Sequence, residues 1–77
     1  MTRQAIYDRL RAIGVSVESA DAVSEALEPL PDKKVEAFLL WLCGYSLDEI
    51  GLKIGGCTKQ NVSLIILNIK ELLDKCL

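Results

Sequence analysis

The residues best placed to do chemistry form one short run, Thr58-Lys59-Gln60-Asn61-Val62-Ser63. Gln60 and Asn61 carry amides that can make paired hydrogen bonds to the major-groove edge of adenine, Lys59 can reach guanine or phosphate, and the hydroxyls of Thr58 and Ser63 suit phosphate oxygens. This is recognition chemistry rather than bond making. The chain has no histidine, which removes Ser-His-Asp and Cys-His catalysis and any histidine-containing zinc site. At 77 residues there is no room for a two-layer cofactor fold. Asp48 and Glu49 are explained by helix capping. Neither an enzyme nor a cofactor or metal is expected.

The elements that must position this run read as helices throughout. Thr2 can cap a first helix at 3–13, with Ile6, Leu10 and Ile13 at helical spacing and Gly14 as a left-handed stop. A second helix, from Ser16 or Ser19 to Glu28, turns Ala20, Val23 and Leu27 inward and ends at Pro29-Leu30-Pro31. Its other face carries Glu18, Asp21, Glu25 and Glu28 with no interleaved cation, read as a solvated face or a contact for a basic partner. Asp32 is the expected N-cap of a third helix through Cys43, with Val35, Phe38, Leu39 and Leu42 inward and Leu40 and Trp41 on the flank.

Ser46-Leu47-Asp48-Glu49 has the form of a capping box and opens a fourth helix, 47–54. Gly55-Gly56 breaks it, and Thr58 caps a fifth at 59–75. No strand alternation, repeat, low-complexity tract or linker stands out. The expected fold is all-α: about five helices in a small bundle and a single domain over 1–77, with N-terminal helices over 1–30 and the recognition elements over 32–77.

A short helix, a glycine-containing turn and a longer helix with a polar first turn is the helix-turn-helix pattern. Ile50 and Ile54 face the core, Gly51 permits close approach of the second helix, and Val62, Ile65 and Ile66 receive it. From Val35 to Gly51 the chain resembles the region-4 helix-turn-helix of bacterial sigma factors and its LuxR-type relatives. Gly44, Ser46, Asp48, Glu49, Ile50 and Gly51 match without a gap, and the likeness spans residues 33–70. It implies a helix-turn-helix fold reading DNA in the major groove through the start of the last helix. Two features depart from the family. One extra residue separates Gly51 from the turn glycine Gly56, and the last helix lacks arginine.

Charge bears directly on that expectation. Lys53, Lys59, Lys70 and Lys75 balance Asp48, Glu49, Glu71 and Asp74 over residues 46–77, within a chain of net charge −2. Phosphate attraction supplies most non-specific affinity for DNA, so a neutral motif binds weakly by itself. All the arginines, Arg3, Arg9 and Arg11, lie on the first helix; packed beside the motif, they would provide the missing phosphate contacts.

The fifth helix also has more apolar residues than its own core face needs. Leu64 and Leu67, with Trp41 and Leu77, form a candidate homodimer interface, and a two-fold dimer would present two recognition helices to DNA. The leading expectation is a small transcriptional regulator that binds double-stranded DNA as a homodimer. The alternative is a sigma-like interaction module, such as a phage-encoded modulator, that binds a protein such as RNA polymerase. The longest apolar run, Ala37 to Cys43, is far below the roughly 18 residues of a membrane span, and no secretory peptide is evident. Three cysteines without a C-x-x-C pair suit a reducing cytoplasm, with two thiols expected in the core.

Overall fold

The computed structural model describes residues 1–76 and contains five helices: α1 (Arg3–Ala12), α2 (Val17–Leu27), α3 (Asp32–Leu42), α4 (Leu47–Lys53) and α5 (Lys59–Cys76). No strand occurs among the described residues. The architecture is all-α, as the apolar periodicity predicts. α1 packs on α2, α3 packs on α4, and α5 runs as a spine against α2, α3 and α4. Leu77, one of the candidate dimer residues, lies outside the described residues.

Side chains that hydrogen-bond to exposed amides set the helix starts. Thr2 Oγ1 accepts from Ala5 N, Ser16 Oγ from Ser19 N and Thr58 Oγ1 from Asn61 N, at 3.2, 3.3 and 3.2 Å. At α4 the box is reciprocal: Glu49 N donates to Ser46 Oγ at 3.2 Å, and Ser46 N donates to Glu49 Oε1 at 3.3 Å. α3 differs from expectation. Pro31 occupies its N-cap without a side-chain hydrogen bond, and Asp32 sits inside the first turn, paired with the N-terminal ammonium. A carboxylate there still favours the helix by facing its positive end.

The core joins Ile6 and Leu10 of α1, Ala20, Val23 and Leu27 of α2, Val35, Phe38, Leu39 and Leu40 of α3, Ile50 of α4, and Val62, Ile66 and Ile69 of α5. Three inward assignments shift. Leu40 is buried while Leu42 is exposed, because α3 lies between α4 and α5 and its buried face is rotated toward Ala37 and Leu40. Ile13, at the C-cap of α1, is exposed where the helix has already ended. Cys43 is exposed and Cys57 half-buried, so the expected buried thiols are not core residues.

The sequence reading sees no repeat, yet two corners of the fold are built alike. Gly14 and Gly44 both have positive φ, +96° and +99°. Val15 N donates to Leu10 O at 3.1 Å, and Tyr45 N to Leu40 O at 3.2 Å. Each corner ends in a serine cap. The match is one of backbone chemistry, with few identical side chains, which is why composition and hydropathy do not reveal it.

Candidate nucleic-acid interface

α4 and α5 meet through backbone. A Cβ placed on Gly51 would lie 2.2 Å from the carbonyl oxygen of Cys57, so only glycine fits between α4 and the segment leading into α5. The Gly51 carbonyl in turn accepts from Gly56 N at 2.8 Å and Cys57 N at 3.0 Å. Gly55 and Gly56 take φ of +112° and +78°, which spares the turn the cost an L side chain would impose. The turn is therefore made by two left-handed glycines, and α5 begins directly after Thr58.

This turn presents the first residues of α5 to solvent. Thr58, Lys59, Gln60, Asn61 and Ser63 are all exposed, while Val62 is fully buried and anchors the same turn to the core. The predicted recognition residues are thus all accessible to solvent. Thr58 already accepts the Asn61 amide, leaving its hydroxyl proton for another acceptor.

The arginines are placed elsewhere. α1 packs on α2, and each guanidinium is engaged within the protein. Arg3 Nη2 donates to Asp21 Oδ1 at 2.5 Å, so a cation from the neighbouring helix does meet the acidic stripe of α2. Arg9 reaches both oxygens of Glu36, at 2.9 and 3.2 Å, a bidentate pair that raises its pKa further above the ordinary guanidinium value. Arg11 donates to the Val15 carbonyl at 2.8 Å. They fasten α1 to its surroundings.

Leu64 and Leu67 are 56% and 51% exposed, as the surplus of apolar positions on α5 predicts. Trp41 is half-buried; its ring meets Phe38 at 5.9 Å and lies under the Lys70 ammonium at 4.3 Å. At 3.6 residues per turn, Gln60, Leu64, Leu67 and Glu71 fall along one strip opposite the buried Val62, Ile66 and Ile69. A sister helix laid along both leucines would also cover Gln60. The two exposed leucines and Gln60 therefore lie on one continuous strip.

Two surface features escape the sequence reading. Leu52 is 79% exposed on α4, and the face counting that isolates Leu64 and Leu67 would have found it opposite Ile50. Lys33, at the start of α3, has its ammonium beside Gly55 in the α4–α5 turn, a contact across the fold with no local sequence signal. No helix among the described residues is long and apolar enough to cross a membrane. No protein-family model, curated protein or solved structure matches the chain.

Proposed function

We propose that this chain is a small DNA-binding regulator of transcription whose α4 and α5 act as a helix-turn-helix, with the start of α5 in the major groove. The observation that carries the reading is the exposed cluster Lys59, Gln60, Asn61 and Ser63, held on a turn whose geometry depends on Gly51. Gln60 and Asn61 read base edges, Lys59 reaches guanine or phosphate, and Thr58 and Ser63 hold phosphate oxygens. The homodimer belongs to this proposal as a competing state, because Leu64 and Leu67 share their strip with Gln60. The likeness to sigma region 4 and LuxR-type domains favours the same reading, and a cytoplasmic location follows from it.

Selection of binding sites from randomised duplexes tests the proposal. Gln60→Ala and Asn61→Ala should broaden the selected sequence, whereas Lys59→Ala should weaken binding to all sequences and flatten its salt dependence. No binding to any duplex at low salt would overturn it.

A second reading, a module that docks on a protein such as RNA polymerase, is favoured by the exposed Leu52, Leu64 and Leu67 and by the engagement of every arginine within the fold. Purified polymerase that binds the wild type, and loses it on Leu64→Glu with the fold intact, would support this reading. Binding unaffected by Leu52→Glu, Leu64→Glu and Leu67→Glu together would remove it.

A further inference from the structure

The α4–α5 turn has two possible sources of positive charge, its backbone amides and nearby side chains. The amides are spent: Gly56 N and Cys57 N both donate to the Gly51 carbonyl, so they form no concavity for an anion. The side chains are not spent. A Cβ built on Gly55 would lie 3.4 Å from Lys33 Nζ and 3.6 Å from its Cε, which places this α3 ammonium on the turn itself. Lys53 stands two residues before Gly55 and Lys59 four residues after it.

The carboxylates near Lys33 are neutralised by cations from α1 and the chain start. Asp32 pairs with the N-terminal ammonium, and Glu36 with Arg9. Lys33, Lys34, Lys53 and Lys59 have no carboxylate within ion-pair distance among the described residues; the Lys53 ammonium lies over the Tyr45 ring at 5.0 Å. Asp48 is at the opposite end of α4, and Glu49 stands one turn before Lys53 on the same helix face. The net charge of zero over residues 46–77 therefore conceals a cationic edge, completed by a helix outside that segment.

We propose that Lys33 is a DNA-phosphate contact, forming with Lys59 a clamp around the α4–α5 turn that grips the backbone flanking the groove entered by α5. The proposal rests on the DNA-binding reading above and assigns the electrostatic role first expected of Arg3, Arg9 and Arg11 to a different helix. The pairing of Arg9 with Glu36 acts indirectly, by removing the anion next to Lys33. Gly55 and Gly56, lacking side chains, leave room for a phosphate to approach the ammonium.

The test is a salt titration of binding to a mixed-sequence DNA duplex of about 20 base pairs, comparing the wild type with Lys33→Gln, Lys59→Gln and Arg11→Gln. Each lost phosphate contact lowers the slope of log K against log salt by about 0.9. Lys33→Gln and Lys59→Gln are expected to lower it by that amount each, with base preference after Lys33→Gln and all melting temperatures unchanged. Arg11→Gln is expected to leave the slope as it is. Binding in which Lys59→Gln flattens the slope and Lys33→Gln does not would overturn the clamp and leave the DNA reading standing. An equal effect of Arg11→Gln would also overturn it, by returning the electrostatic role to α1. A wild type that binds no duplex at low salt would overturn both.

Discussion

At the α1–α2 corner, Gly14 turns left-handed and Ser16 caps the next helix; thirty residues later, Gly44 and Ser46 do the same between α3 and α4. The helices that follow diverge. α2 has eleven residues and buries Ala20, Val23, Ser24 and Leu27, whereas α4 has seven and buries only Ile50 and Gly51. α2 is long enough to hold its own place, and Arg3 ties it to α1 through Asp21. α4 is held by α3 before it and by the glycine turn and α5 after it. One local code therefore yields a closed helical hairpin in the first half and an open polar surface in the second. The difference lies in helix length and in whether the next connection is made by backbone or by side chains.

The two halves should differ most in their response to alanine at Gly51 and at its counterpart Asp21, thirty residues earlier. Gly51→Ala forces a methyl into a backbone carbonyl 2.2 Å away, which cannot move aside as a side-chain tip could. Overpacking of this kind costs typically 1–3 kcal/mol, and a backbone obstacle puts the expected cost at about 3 kcal/mol or more. In a domain this small that lowers Tm by roughly 15 °C or more. Asp21→Ala loses only an exposed ion pair and should cost about 0.5 kcal/mol or less. Thermal unfolding by circular dichroism measures both. Equal losses would mean that α4 and α2 are held in the same way.

The two corner glycines, Gly14 and Gly44, should behave identically. No atom lies within 4 Å of a Cβ built on Gly14 or Gly44, so alanine there meets only backbone strain, about 1–2 kcal/mol. The expected drop in stability is the same for Gly14→Ala and Gly44→Ala. A gap between them of more than about 1 kcal/mol in urea denaturation would show that the corners differ in more than their third helical residue.

Local signals carry most of what the sequence foretold. Thr2, Ser46 and Thr58 cap as expected because a cap needs only a side chain three residues from an amide, and Gly51 packs as expected because close approach leaves room for no other residue. The exposure of Thr58, Lys59, Gln60, Asn61 and Ser63 around the buried Val62 was legible from the same arithmetic. Errors arise where a residue depends on a distant partner. Leu40 and Leu42 exchange roles because two helices, not one, pack on α3. Arg3 and Arg9 read as free cations until Asp21 and Glu36 are placed against them. Lys33 lies twenty-two residues from Gly55 in the chain, and only the fold brings its ammonium to the turn.

The serine caps give the next largest effect, and then the finest. Ser16→Ala and Ser46→Ala should each cost about 1 kcal/mol. The loss should be somewhat greater at Ser46, where removing the hydroxyl also loosens the reciprocal hydrogen bond from Ser46 N to Glu49. The residue in the third helical position decides this asymmetry: Glu49 in α4, Ser19 in α2. Ser19→Glu should complete a capping box at the first corner, because Ser19 is exposed and its amide already donates to Ser16 Oγ. It also places a carboxylate in the first turn of α2, facing the positive end of the helix. Glu18 and Asp21 lie close by and repel the new charge, so the expected gain is only about 0.3 kcal/mol, and it should grow as salt screens that repulsion. A gain that shrinks with added salt would mean that helix-end electrostatics, rather than the returned hydrogen bond, distinguishes the two corners.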